Sequence, residues 1–450
     1  MPALMKALNT AIKLGLVAAL LGTAACQTDE NGDNTSMSTD TDSWAVNIGG
    51  PAYMATDGTR YHAEEFVSGG EVHTLEKVLG SQDAALYLGY REGDIRIDRP
   101  IANGTYDITF HFAEPADIGG QERLFDVYVN GRQVIREIDV MGWRDGKIHS
   151  ALTVTVPNVE VIDGRLDIGF SATERQPVLS AFAVRTKRAT SDDWQLVWSD
   201  EFDVDGAPDP DRWNLEEWPA RKVNDEDQAY TSRQRNARVK DGHLVIEAHK
   251  EDFGEASYTS ARLQSEGKGD FLYGRFEVRA KLPQGMGTWP AIWMLPSDPF
   301  RYATLCGEGT DWQGNADCDA WPNSGEIDIM EHVGYQMGHV HGTVHNKAYY
   351  WATWEQRKGR VILDDVDEAF HIYALEWTPE RIDVFVDDTP YFTYVNEGNG
   401  WNAWPYDHPF HLIMNIAVGG MWGRSGGGID DSVFPQTMLV DYVRVYERMP

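Results

Sequence analysis

Almost every ordered stretch of this 450-residue chain alternates apolar and polar side chains with a period of two. Residues 106–112, 125–129, 165–170, 275–280, 381–386 and 440–445 each set every second side chain on one apolar face. That is the pattern of strands buried on one side. Turn signals such as Asn130-Gly131, Asp163-Gly164 and Asp241-Gly242 separate them. No long segment carries the helical period. The chain is therefore expected to be all-β and built from sandwiches. Its length suits two or three domains. A polar, aperiodic stretch at 187–191 divides a front sandwich, 44–187, from a larger one, 192–448.

Lys and Arg number 39 against 71 Asp and Glu, a net charge of −32. Such a chain repels phosphate backbones and anionic lipid, which argues against nucleic acid and an electrostatic membrane surface as partners. With 42% hydrophobic and 24% charged residues it is not a disordered chain. Residues 1–26 read as an export signal: Lys6 and Lys13, an apolar run at 14–21 too short to span a bilayer, then small residues before Cys26. The segment resembles a bacterial lipoprotein signal, in which Cys26 would become the lipidated first residue, with plain secretion as the alternative. Residues 27–43 are polar and aperiodic, a solvated tether. The expected protein is a monomeric outer-membrane or cell-surface lipoprotein, or else secreted, and touches a membrane only through its lipid. Cys306 and Cys318 are an isolated pair, read as a disulfide, because a metal site would need further ligands close by.

The most informative segment is Ser324-Gly-Glu-Ile-Asp-Ile-Met-Glu-His332. On a strand, Glu326 and Asp328 share one face while Ile327 and Ile329 enter the core. Strict alternation would bury Glu331, which an unpaired carboxylate does not tolerate. A β-bulge near Met330 would return it to the face of the other two. Three carboxylates in a row raise one another's pKa, so a proton is retained near neutral pH. Glycoside hydrolysis needs that condition, with one carboxylate attacking and a protonated one freeing the leaving oxygen. Glu326 and Glu331 would stand roughly 13 Å apart along the backbone at ~3.3 Å per residue, and long side chains leaning inward would close much of that gap. An exposed acidic edge strand and a Ca²⁺ site held by hard oxygen ligands are the rival readings.

Aromatic residues surround the segment. Trp289-Pro-Ala-Ile-Trp293 puts two indoles on one strand face, and Trp321 precedes Glu326 by five residues. Sugar rings stack on such faces, although large aromatics also fill cores. His339-Val-His-Gly-Thr-Val-His345 invites a metal reading, but H-x-x-x-H spacing chelates on a helix and this stretch has strand character. His345 is read as a group that hydrogen-bonds substrate.

These motifs resemble glycoside hydrolase family 16, in its laminarinase-like branch, over residues 194–446. The resemblance rests on Trp198-Ser-Asp-Glu-Phe202, Asn236-Ala-Arg-Val-Lys-Asp-Gly242, Tyr258-Thr-Ser-Ala-Arg262, Tyr273-Gly-Arg-Phe-Glu277, the Trp289 and Glu326 motifs, and the segments 370–377 and 434–446. It implies a β-jelly roll with an open cleft and an endo-β-1,3-glucanase acting on β-glucan with retention of configuration. Glu326 would be the nucleophile, Asp328 its helper and Glu331 the acid/base. Asn236, Arg262, Trp289, Trp293, Trp321 and His345 would line the cleft. No cofactor is expected for catalysis. The resemblance also implies a structural Ca²⁺ at Asp441, with Glu201 and Gly242 as backbone contributors. Met421 stands where the family often has Asn, and the 301–320 loop is long. The alternatives are a mixed-linkage β-1,3-1,4-glucan or a galactan as substrate, a transglycosylase, and a non-catalytic glycan-binding protein.

The front domain resembles malectin, a carbohydrate-binding fold also known as carbohydrate-binding module family 57. The matching residues include Val46-Asn-Ile-Gly-Gly50, Asn103-Gly-Thr-Tyr106, His111-Phe-Ala-Glu114 and Leu124-Phe-Asp-Val-Tyr-Val129. Tyr61, Tyr87 and Tyr90 are the sugar-binding candidates, and a spacer role is the alternative.

Overall fold

A computed structural model describes residues 43–187 and 193–449. The export signal, Cys26, the tether up to residue 42 and most of the 187–191 boundary lie outside the described residues. The alternating segments form strands where the period places them. In the front module these include β1 (Trp44–Asn47), β2 (Gly104–Phe112), β3 (Leu124–Val129), β4 (Leu152–Val161), β5 (Arg165–Glu174) and β6 (Ala181–Thr186). In the larger module they include β7 (Arg262–Gln264), β8 (Gly274–Lys281), β9 (Thr288–Pro296), β10 (Glu326–Glu331), β11 (His339–His345) and β12 (Arg357–Ile362). Strands β13 (His371–Trp377), β14 (Phe410–Val418) and β15 (Gln436–Arg448) complete the set used below. The two α-helical turns among the described residues span four residues each.

Each module buries a core between two sheets. The front core packs Phe110, Phe112, Phe125, Val127, Ile168 and Phe182 from facing strands. The larger core packs Phe276, Val278, Ile292, Met294, Ile327, Leu375 and Trp377. Inward residues alternate with outward ones, as sandwich packing requires. One ten-stranded sheet, which contains β15, β8 and β13 in adjacent order, backs the larger module. The facing sheet runs β7-β14-β9-β10-β11-β12 and carries the acidic strand in its middle.

That facing sheet does not stop at β12. It continues into the front module as β4-β2-β6-β1, giving a fourteen-stranded sheet. The join is a parallel pairing of β4 with β12, Val154 opposite Arg360 and Thr155 opposite Val361. Backbone groups that would form an open edge are thus covered. Side chains reinforce the join. Trp143 meets the His339 ring edge-on at 4.6 Å, and Arg360 lies over the same indole at 4.5 Å. Asp145 pairs with Lys358 at 3.3 Å. Gln82 exchanges two hydrogen bonds with the Val395 backbone.

Candidate active site

Strand β10 lies between β9 and β11, and its register slips in both ladders. Opposite β9, Met330 faces Ile292 while Asp328 faces Trp293, so one residue is extra. Opposite β11, Asp328 faces Thr343 and Glu331 faces His341. Ile329 and Met330 are adjacent and both fully buried in the core. This is the bulge expected from the cost of burying Glu331. It returns that carboxylate to the face of Glu326 and Asp328.

Indoles hold two of the three acids. Trp321 donates from Nε1 to Glu326 Oε2 at 2.9 Å. Trp289 donates from Nε1 to Glu331 Oε1 at 3.1 Å. Asp328, between them, is buried. His345 Nε2 stands 3.3 Å from Asp328 and 3.6 Å from Glu326. Burial, then the neighbouring Asp328 charge, pushes Glu326 from 4.5 to about 8. Burial and the Glu331 charge drive Asp328 well above the carboxylate range, and burial raises Glu331. The cluster therefore keeps protons at neutral pH, the state needed for one acid to give a proton while another attacks. Ligand atoms of Glu326, Asp328 and His345 all lie within 4.8 Å of one another, a donor set that a small cation would also accept. Glu331, the third acid of the row, is not in that set.

The remaining candidates divide. Trp289, Trp293, Trp321 and His345 surround the carboxylates. Trp293 donates to Asn415 Oδ1 at 2.8 Å, and Trp321 tilts against His345 at 5.7 Å. Arg262 reaches the site only through Trp293. Its guanidinium is buried between Trp218 at 4.3 Å and Trp293 at 4.7 Å and ion-paired with Glu216. It positions an indole rather than lying open to substrate. Asn236 is not a cleft residue. Fully buried, its amide accepts from Thr231 and Arg233 and donates to Glu247 O and Thr259, closing a loop against the back sheet. Unread in the sequence were Trp422, which meets Trp289 at 5.5 Å and His341 at 5.1 Å, and Trp218 beneath Arg262. Both lie outside the strands, where no period marks a face. Met421 is exposed beside Trp422. Cys306 and Cys318 are disulfide-bonded, and their loop reaches Arg262 through Gln313.

Of the calcium donors implied by resemblance, Asp441 would offer its carboxylate and Glu201 and Gly242 their backbone carbonyls. The Asp441 carboxylate is already paired with Arg279, and that of Glu201 with both Nε and Nη2 of Arg444. Gly242 occupies a tight turn at φ +77°.

The front-module tyrosines are not displayed on an open face. Tyr61 and Tyr87 each place a hydroxyl 2.9 Å from one ring nitrogen of His111, and all three are buried. They line a half-open pocket of about 120 Å³ whose other wall is Arg357, Lys358, Gly359 and residues 390–393 of the larger module. Tyr90 lies apart from the pair, stacked on His73 at 5.4 Å.

Residues 224–444 match the family model described as Glycosyl hydrolases family 16, and residues 42–187 match the Malectin domain. A β-glucanase of Rhodothermus marinus is 50% identical over 259 residues, 56% of this chain and 85% of that protein. The chain belongs to glycoside hydrolase family 16. A glucan endo-1,3-beta-glucosidase of Cryptopygus antarcticus is 36% identical over 54% of this chain and 86% of its own length. The X-ray structure of the laminarinase from Rhodothermus marinus superposes with a TM-score of 0.52 at 49% identity, covering 57% of this chain and 98% of that one. The family 16 module thus accounts for the acidic row, and the chain is a glycoside hydrolase preceded by a malectin domain.

Proposed function

We propose that this protein is an endo-acting β-1,3-glucanase that hydrolyses laminarin-type glucan with retention of configuration. The single observation carrying the reading is the bulged strand, which presents Glu326 and Glu331 on one face, each anchored by an indole N–H, with Asp328 between them. The names of the similar proteins, β-glucanase, glucan endo-1,3-beta-glucosidase and laminarinase, support the substrate.

In the first step the Glu331 carboxyl gives its proton to the glycosidic oxygen. The bond from that oxygen to the anomeric carbon breaks as Glu326 attacks the same carbon and forms a glycosyl ester. Asp328 takes up the proton that Glu326 holds at neutral pH, so that Glu326 attacks as carboxylate, and Trp321 supports its charge. In the second step Glu331 takes a proton from water, the water oxygen bonds to the anomeric carbon, and Glu326 leaves as carboxylate. Two inversions restore the configuration. The protein is further proposed to be exported, tethered through lipidated Cys26, and monomeric. Electrophoretic mobility of Cys26→Ser against wild type in the producing cell tests the tether.

Laminarin digestion followed by NMR at early times tests the main reading. The new reducing end is expected in the β configuration, and Glu326→Ala or Glu331→Ala is expected to lose hydrolysis with the circular dichroism spectrum kept. Full activity of purified Glu326→Ala, or an α product, would refute it. Cleavage of mixed-linkage glucan or galactan in preference to laminarin would replace the substrate while leaving the acid roles in place.

A further inference from the structure

The loop between β11 and β12 carries two large apolar side chains that the core does not use. Trp351 is 49% exposed and Trp354 is 45% exposed. Folding has no reason to leave two indoles in water, since burying each is strongly favourable. Trp354 also has an unfavourable backbone, with φ at +64°. Glycine or asparagine meets that conformation cheaply, whereas a bulky residue there is a rare outlier. Neither packing nor backbone geometry asks for tryptophan at these positions.

Trp351 continues the rings of the candidate site, and Trp354 lies three residues further along the same loop. Trp321, which donates to Glu326, meets Tyr350 edge-on at 5.6 Å, and Tyr350 meets Trp351 at 6.2 Å. An aromatic path thus runs outward from the carboxylates to the exposed loop. The front module fixes that loop at both ends. Lys147 donates from Nζ to the Trp351 carbonyl at 2.7 Å, and the Gly80 amide donates to Glu355 Oε2 at 2.8 Å. Glu355 is held in turn by Arg357 at 3.1 Å.

We propose that Trp351 and Trp354 form an outer binding platform for the β-glucan chain already engaged at Glu326, and that the malectin domain serves the enzyme by holding this loop. The proposal rests on the reading of the site as a glucanase, and continuity of the ring path with that site selects the occupant. The malectin domain then contributes to substrate preference through Lys147 and Gly80. Lys147 is a positioning residue on this account.

The test compares the full chain with the Trp351→Ala/Trp354→Gly double variant on long laminarin and on a β-1,3-gluco-oligosaccharide just long enough to be cleaved. KM on the polymer is expected to rise about tenfold, with the polymer-to-oligosaccharide ratio of kcat/KM falling by a similar factor, because an interaction shared by ground and transition states is removed. Trp354→Gly relieves the left-handed backbone, so the melting temperature should hold or rise, whereas a structural role would lower it. Lys147→Ala should move the ratio in the same direction by a smaller factor. An unchanged ratio, or an equal loss on both substrates, overturns the platform.

Affinity electrophoresis through laminarin gels, in a Glu326→Ala background, reads the platform without hydrolysis. Retardation should weaken when Trp351 and Trp354 are replaced, and unchanged retardation overturns the proposal. Weakened retardation alongside a wild type that cleaves no glucan would sink the glucanase reading alone. Self-association on sedimentation that the double variant abolishes would assign the indoles to a second copy of the chain and overturn the proposal.

Discussion

Replacing Glu326 by glutamine should make the protein inactive and more stable. The structure pushes this carboxyl from 4.5 to about 8, first by burial and then by the Asp328 charge. The folded state therefore binds a proton that the unfolded chain has released between those two pH values. Linkage then requires stability to fall as pH rises through that window, and the contribution is intact below about pH 4.5. At pH 7 the gap from 4.5 is 2.5 pH units, which at 1.36 kcal/mol each is about 3 kcal/mol. Glutamine has nearly the same shape and no proton to hold. Its amide oxygen can accept from Trp321, which now donates to Glu326 Oε2, and its amide group can donate to Asp328. The substitution should recover a large part of that cost, raising the melting temperature by several degrees at pH 7. Near pH 4 the gain should vanish. Thermal melts of wild type and Glu326→Gln from pH 4 to pH 8 make the comparison. A glutamine variant that melts no higher than wild type at pH 7, or whose advantage is the same at every pH, would refute the electrostatic argument.

Three further outcomes follow, one from the acids and two from the shared sheet. Asp328→Asn removes the charge that is the second cause of the Glu326 shift, so the acidic limb of kcat/KM against pH should move to lower pH, and a limb that stays in place would contradict the coupling. The shared sheet across β4 and β12 should make the two modules melt together in calorimetry. Trp143→Ala, which removes the indole between His339 and Arg360, should cost about 3–5 kcal/mol or split that transition. Two separated transitions in the wild type would contradict the reading of the join.

Much of the site was legible before any coordinates because its logic is local. Glu331 cannot be buried unpaired, so the chain around Met330 must slip by one residue, and the observed register slips there. The alternating segments likewise name their own buried faces, and Arg381–Val386 forms a strand over the same residues in sequence and structure. Asn236 was misplaced for the opposite reason. A buried amide that closes a loop and one that touches sugar have the same side chain, and only the positions of Thr231, Glu247 O and Thr259 separate them. Arg262 likewise became a support for Trp293 only when Trp218 and Glu216 were placed around it.

The sequence by itself determined the strands, the bulge and the row of acids, because period, burial cost and like-charge repulsion act between near neighbours in the chain. Which edge of the catalytic sheet receives the front module was decided only in three dimensions. Parallel pairing of Val154 with Arg360 uses backbone groups that every residue carries, so no residue type announces it. That one pairing gives the pocket at Tyr61 and Tyr87 its second wall and brings Lys147 to the carbonyl of Trp351.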